Sequence, residues 1–290
     1  EKGRAAAAAA RPPAPFGAGD LARGIAGLKR APAAETPREK TEEEKAEENR
    51  IEEEERQAII QELEHFVSEF DLEMDPGQLE LREEVGVGRY ARVCRATKRG
   101  SSNPADVYAV KTFTYLRPEA PPAVLRALLA ELKTLSFLDH PALVRVAGAA
   151  AYPRPCLILE WVGGGNLYDE QGSESWRTTP LGTKLRVLAD VADGLHILHS
   201  LGFAHRDIKC HNILLKKNEQ GKVTGAVLAD LGAAQRLPEG GKFMDEGAGT
   251  IGYDAPEVSS GEGYGAPADV YSLGRVAARA LGGGGAAAAA

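Results

Sequence analysis

The spacing of apolar positions changes character along this chain, and each change marks a different element. Ile59, Leu63, Phe66 and Phe70 recur at steps of four, three and four within a stretch otherwise rich in Glu, Gln, Arg and Ala, the spacing of one helix face. Asp75-Pro76-Gly77 then breaks the helix and marks a domain boundary. Beyond it Leu79 and Leu81 alternate with polar residues and lead into Val85, a strand signal. Further strands fit residues 90–96 and 107–113. Leu125, Leu128, Leu129, Leu132 and Leu135 predict a helix over 122–138. A buried strand at 157–159, a second helix at 181–200 and short strands at 213–215 and 226–229 follow. Strands first and helices afterwards predict an α+β domain of two unequal lobes.

The apolar stripe at 59–70 fits two structures. One is a short coiled coil, for which two heptads fall short of the usual three or four; the other, which the length favours, is an amphipathic helix lying against the domain that follows. Residues 42–56 before it are charged on every face, and pairs such as Glu52 with Arg56 support a helix only slightly. Residues 1–37 are Ala-, Pro- and Gly-rich with little to pack and are expected to be disordered. The expected organisation is a disordered segment at 1–37, an acidic helical extension at 38–74, a folded domain at 79–281 and a Gly/Ala tail at 282–290.

Charge sharpens this division. Of the net −7 over 290 residues, residues 35–84 carry twenty acidic and six basic side chains, while residues 85–290 carry 20 and 23. No basic excess is available to hold a phosphate backbone, so nucleic acid is not an expected partner. No apolar run approaches the roughly 20 residues of a membrane helix. Cys94, Cys156 and Cys210 are odd in number and far apart, which argues against a disulfide framework and for a reducing, cytoplasmic setting. Residues 1–34 contain Arg but no Ser, a poor fit to a transit peptide.

Several short stretches carry candidate chemistry. Gly86-Val87-Gly88-Arg89-Tyr90-Ala91-Arg92-Val93 lies between two predicted strands, where glycines let backbone amides approach phosphates; a plain hairpin turn reads the same way. Lys111 ends an apolar strand run, where a buried ammonium needs a partner, and Glu131 on the next helix is available; each alone would read as a surface charge. The decisive stretch is His205-Arg206-Asp207-Ile208-Lys209-Cys210-His211-Asn212. There an Asp, a Lys two residues on and an Asn five residues on supply a base, a charge stabiliser and a metal ligand for one phosphoryl group. Asp230-Leu231-Gly232 follows the apolar run 226–229 and offers a carboxylate suited to Mg²⁺. Gly249-Thr250-Ile251-Gly252-Tyr253-Asp254-Ala255-Pro256-Glu257 and Asp269-Val270-Tyr271-Ser272-Leu273-Gly274 complete the series.

These seven motifs, in this order, resemble the eukaryotic protein kinases over residues 79–281. The resemblance implies a two-lobed fold, with an antiparallel sheet and one helix in the N-lobe and a mainly helical C-lobe. It implies a Ser/Thr protein kinase that uses ATP and Mg²⁺ on protein substrates. By resemblance, Val85, Gly86, Val87 and Gly88 cover the nucleotide, and Lys111 holds its α/β-phosphates while pairing with Glu131. Val93, Ala109 and Leu214 sandwich the adenine, Leu159 is the gatekeeper, and Glu160-Trp161-Val162 forms the hinge. Asp207 accepts the substrate proton, Lys209 steadies the γ-phosphate, and Asn212 with Asp230 holds Mg²⁺. Leu135, Val146, His205 and Leu231 stack between the lobes, and Asp269 anchors the catalytic loop. Lys209 together with Thr250 resembles the Ser/Thr rather than the tyrosine kinases, and 74–81 with 249–257 resembles the tyrosine-kinase-like group.

Some positions depart from the family pattern. Leu231 stands where Phe is usual. Asn166 and His211 replace acidic residues found in many base-directed kinases, so a preference for Arg-rich substrates is not implied. No Ser, Thr or Tyr lies between Asp230 and Thr250, although Arg206, the usual receiver of a loop phosphate, is present; Asp245 or Glu246 would supply the charge instead. The family's later C-lobe helices do not follow Leu281, so the lobe is expected to be truncated. Leaving Val270, Leu273, Val276 and Leu281 uncovered would forfeit roughly 1.5–3 kcal/mol each. The alternative reading is therefore a catalytically silent kinase-like module acting through binding, and a third makes the extension a coiled-coil partner element. On the first reading, the acidic amphipathic helix docks either on a partner or on its own chain.

Overall fold

Thr41 opens the first helix, α1 (Glu42–Glu69), by a reciprocal cap. Its hydroxyl accepts from the Glu44 amide at 3.2 Å, and the Glu44 carboxylate accepts from the Thr41 amide at 2.8 Å. The computed structural model describes residues 41–88, 91–113, 120–151, 154–244 and 249–282; the expected disordered segment 1–37, Asp245, Glu246 and the tail from Gly283 lie outside them. The chain divides into two compact units after Glu47, and the sheet, the later helices and α1 from Glu48 onward belong to the second.

Strands β1 (Leu79–Val87), β2 (Ala91–Lys98), β3 (Val107–Phe113), β4 (Val146–Ala150) and β5 (Cys156–Glu160) form one antiparallel sheet in the order β1-β2-β3-β5-β4. Helix α2 (Pro122–Ser136) lies between β3 and β4 in sequence. The rest is mainly helical: α3 (Leu167–Glu170), α4 (Glu174–Thr178), α5 (Leu181–Ser200), α6 (Pro256–Ser259) and α7 (Ala266–Leu281). Between α5 and α6 run the paired β6 (Phe203–Ala204) with β9 (Gln235–Arg236), and β7 (Ile213–Lys217) with β8 (Val223–Leu228). This is the α+β, two-lobed arrangement expected.

Details differ where packing overrides pattern. The alternation across β1 fails: Leu79 is buried while Leu81 and Val85 are exposed, and the register with β2 shifts twice between Leu81 and Gly86. Val-Ala-Gly-Ala-Ala carries almost no strand propensity, yet β4 forms because β5 pairs with it. Helix α2 ends at Ser136 rather than 138. Phe70, the last of the apolar stripe, is exposed, whereas Ile60 and Val67 join Ile59, Leu63 and Phe66 in the core.

The expectation that α7 would stand uncovered holds for Val270 and Leu281 and is corrected for the rest of its apolar face. Val276 and Ala280 are buried against α5 and its surroundings, and Leu273 packs partly on the same core; Val270 and Leu281 are exposed. The indole of Trp176, itself buried, donates to the Ala280 carbonyl at 2.9 Å and so holds the last turn of the helix.

Candidate active site

The sheet positions the first charged group. On β3, Lys111 is registered against Val93 of β2 and Leu157 of β5, which sets its side chain beneath the β1–β2 hairpin. Its Nζ donates to both carboxylate oxygens of Glu131 on α2 at 2.8 Å and to Oδ1 of Asp230 at 3.0 Å. Burial disfavours the ammonium, but the Glu131 and Asp230 carboxylates outweigh it and hold the Lys111 pKa above its ordinary value. Burial also raises the Asp230 carboxyl, yet Lys111 prevails and keeps its pKa below the usual range. A Cβ on Gly232 would come within 3.3–3.4 Å of all three charged groups, so the glycine leaves room for the cluster.

A second cluster is built by the segment after β6. Thr250 donates to Oδ1 of Asp207 at 2.7 Å, and Lys209 donates to Oδ2 of Asp207 at 2.6 Å and to the Thr250 hydroxyl at 3.1 Å. Asn212 donates from Nδ2 to the Asp207 carbonyl at 2.8 Å, which leaves its Oδ1 for a donor or a cation. Asp269, at the start of α7, accepts from the His205 and Arg206 amides and from His199 Nε2, each at 2.8 Å. Arg206 and Asp230 both adopt positive φ, at 68° and 61°, a backbone strain that surrounding structure must hold in place.

Between the sheet and these segments lies a cavity of about 870 Å³. Every expected nucleotide-contacting residue lines it: Val85, Gly86, Val87, Gly88, Val93, Ala109, Lys111, Leu159, Glu160, Val162 and Leu214. Glu131, Lys209, Asn212, Asp230 and Thr250 line it too, while Asp207 stands behind Lys209 and Thr250 rather than in the wall. The walls combine apolar side chains such as Val93, Ala109 and Leu214 with the charged groups of Lys111, Lys209 and Asp230, a composition suited to an aromatic base bearing phosphates. Leu135, His205 and Leu231 are fully buried and Val146 partly so.

Residues 79–284 match the model of the protein kinase domain family. The chain belongs to the eukaryotic protein kinases. A putative serine/threonine-protein kinase/receptor of Acanthamoeba polyphaga mimivirus is 32% identical over 209 residues, covering 70% of this chain and 12% of that protein. The mouse dual specificity testis-specific protein kinase 2 is 33% identical over 196 residues (67% and 32%). Human mitogen-activated protein kinase kinase kinase 1 is 31% identical over 202 residues (66% and 13%). The chain thus spans less than a third of each of these relatives.

Val144 and Asp169 are among the cavity residues that escaped the sequence reading. Val144 precedes a strand too weak to flag, and no periodicity marks it. Asp169 lines the rim because Asn166 caps α3, its Oδ1 accepting from the Asp169 amide at 2.9 Å. That Asn-x-x-Asp spacing is a capping signal and was readable.

Proposed function

We propose that this chain is an active Ser/Thr protein kinase that transfers the γ-phosphoryl group of ATP to protein hydroxyls. The observation that carries the reading is the hydrogen-bonded triangle of Asp207, Lys209 and Thr250, set beside the Lys111–Glu131 pair on one cavity. Asp207 is placed to accept the proton of an incoming hydroxyl, and Lys209 to meet charge on the transferred group. Lys111, held charged by Glu131, suits the α/β-phosphates, and the apolar walls at Val93, Ala109 and Leu214 suit the adenine.

The donor set fits Mg²⁺. Asn212 and Asp230 offer oxygen ligands at the cavity, and Mg²⁺ characteristically takes few protein ligands and completes its shell with water and phosphate. When bound there, Mg²⁺ neutralises phosphate charge. We assign 79–281 as the catalytic domain and 38–74 as its extension, and place the chain in the tyrosine-kinase-like group on the resemblance of 74–81 and 249–257. Among the described residues no helix is long and apolar enough to cross a membrane; with the three free cysteines this supports a cytoplasmic setting.

The test is phosphate transfer from radiolabelled ATP to a mixture of Ser/Thr-containing protein substrates, with Mg²⁺ and with chelator. Transfer by the unaltered chain, lost in Asp207→Asn and Lys111→Met and dependent on Mg²⁺, is the expected result. Mg-ATP binding with no transfer under any condition would identify a silent binding module instead.

A further inference from the structure

Helix α2 is apolar on more sides than one neighbour can cover. Val124, Leu125, Leu128, Leu129, Leu132 and Leu135 are all buried, together with Glu131. A helix buried over so wide an arc needs partners on two sides. One side meets the sheet and the segment at Leu231. The other meets α1.

The contacts between the two helices run from Glu55 to Phe70 on the α1 side and from Ala120 to Phe137 on the α2 side. The Arg56 guanidinium donates to the Ala120 carbonyl at 2.9 Å, just before α2 begins. Glu55 pairs with Arg126, and Glu62 pairs with Lys133 at 2.5 Å, one heptad further on each helix. The Lys133 ammonium also lies over the Phe66 ring, and Phe70 meets Phe137 edge-on at 6.0 Å just past the end of α2. The two helices therefore run parallel in a single register. Ile59, Ile60, Leu63, Phe66 and Val67 fall in the same buried cluster as Leu125, Leu128, Leu129 and Leu132. The end of the extension is fastened separately: the Ala149 amide donates to the Leu72 carbonyl at 2.9 Å, and Glu73 bridges Ala149 in parallel at the β4 edge of the sheet.

We propose that α1 and the segment to Met74 are a built-in positioning element for α2, fixing the helix where Glu131 pairs with Lys111. Leu63 and Phe66 act as positioning residues through α2, and the Glu55–Arg126 and Glu62–Lys133 pairs set the register. The extension is thus part of the working catalytic unit. Displacing it from α2 is the way this chain would be switched off. The catalytic half of this inference rests on the kinase reading above; the structural half does not.

The experiment uses the full chain. Amide hydrogen exchange across α2 and α5 is measured alongside kcat and KM for phosphate transfer, in the unaltered protein, in Leu63→Ala/Phe66→Ala, in Glu62→Lys, and in Glu62→Lys/Lys133→Glu. The apolar double variant is expected to speed exchange over 125–135 by about tenfold or more, because it opens a cavity at the α1–α2 contact. Exchange over 187–198 in α5 should stay unchanged, and kcat should fall more than KM rises. Glu62→Lys should shift both readouts in the same direction by less, and the charge-swapped pair should recover them. Unchanged α2 exchange in the apolar variant, equal acceleration in α2 and α5, or no recovery in the swapped pair would each overturn the proposal. Should the unaltered chain transfer no phosphate, the kinase reading fails, and the exchange data alone still decide whether α1 orders α2.

Discussion

Asp269 accepts the backbone amide of Arg206 at 2.8 Å from a helix 63 residues further along the chain. The same carboxylate takes the His205 amide and His199 Nε2 and is almost wholly buried, so one side chain fixes the strained turn that presents Asp207. Removing it as Asp269→Ala leaves two buried N–H groups without an acceptor, each costing about 1–3 kcal/mol. The expected loss is about 3 kcal/mol or more, read as a lower urea midpoint with unchanged slope. A loss within about 0.5 kcal/mol would mean water replaces the carboxylate.

The Thr250 hydroxyl both donates to Asp207 and accepts from Lys209. Thr250→Ala deletes a hydrogen bond to a charged group, a kind worth about 1.5–3 kcal/mol, so kcat is expected to fall roughly 10- to 100-fold. Thr250→Ser keeps the hydroxyl and should retain most of the rate. Equal losses in the two variants would assign the effect to the methyl group.

His211 stacks on Tyr168 with ring centroids 3.9 Å apart, and burial, reinforced by the Lys209 charge, lowers its pKa. The folded state then resists the proton that the unfolded chain accepts near pH 6.5. The unfolded state binds more protons in that window, so stability falls as pH drops through the unfolded value toward the folded one. Between about pH 7 and pH 5.5 the melting temperature should fall more steeply for the unaltered chain than for His211→Gln. Parallel curves would count against a lowered pKa.

Trp176 ties α4 to the end of α7 through the Ala280 carbonyl. Trp176→Phe removes the hydrogen bond and keeps most of the ring, for an expected cost of about 0.5–1.5 kcal/mol. Trp176→Ala opens a cavity and should cost about 3–5 kcal/mol. Thermal unfolding that ranks the two variants in the other order would mean that the indole packs poorly there.

Much of the site was legible because each motif is local. The β1–β2 glycines, the run from His205 to Asn212, and Asp230-Leu231-Gly232 each place two or more functional groups within a few residues, and short-range geometry does the rest. Lys111 and Glu131 were each ambiguous alone, since a lone charge near an apolar run is usually a surface charge. Strand β4 and Val144 were invisible because small residues form a strand only when a partner supplies the hydrogen bonds. The partial cover over α7 was misjudged because it comes from α5 and from Trp176, both far from α7 in the sequence.

By itself the sequence determined the kinase family, the α+β lobes and the identity of the charged residues, since all of these depend on residue type and spacing within short windows. Tertiary structure alone decided which charges meet and which helix faces are covered. Lys111 joins Glu131 and Asp230 only because β3, α2 and the turn after β8 converge. The stripe on α1 lies against α2 because α2 leaves an apolar side open and offers Arg126 and Lys133 in matching register. Burial and charge pairing are properties of surfaces brought together, and no local pattern states which surface the other will be.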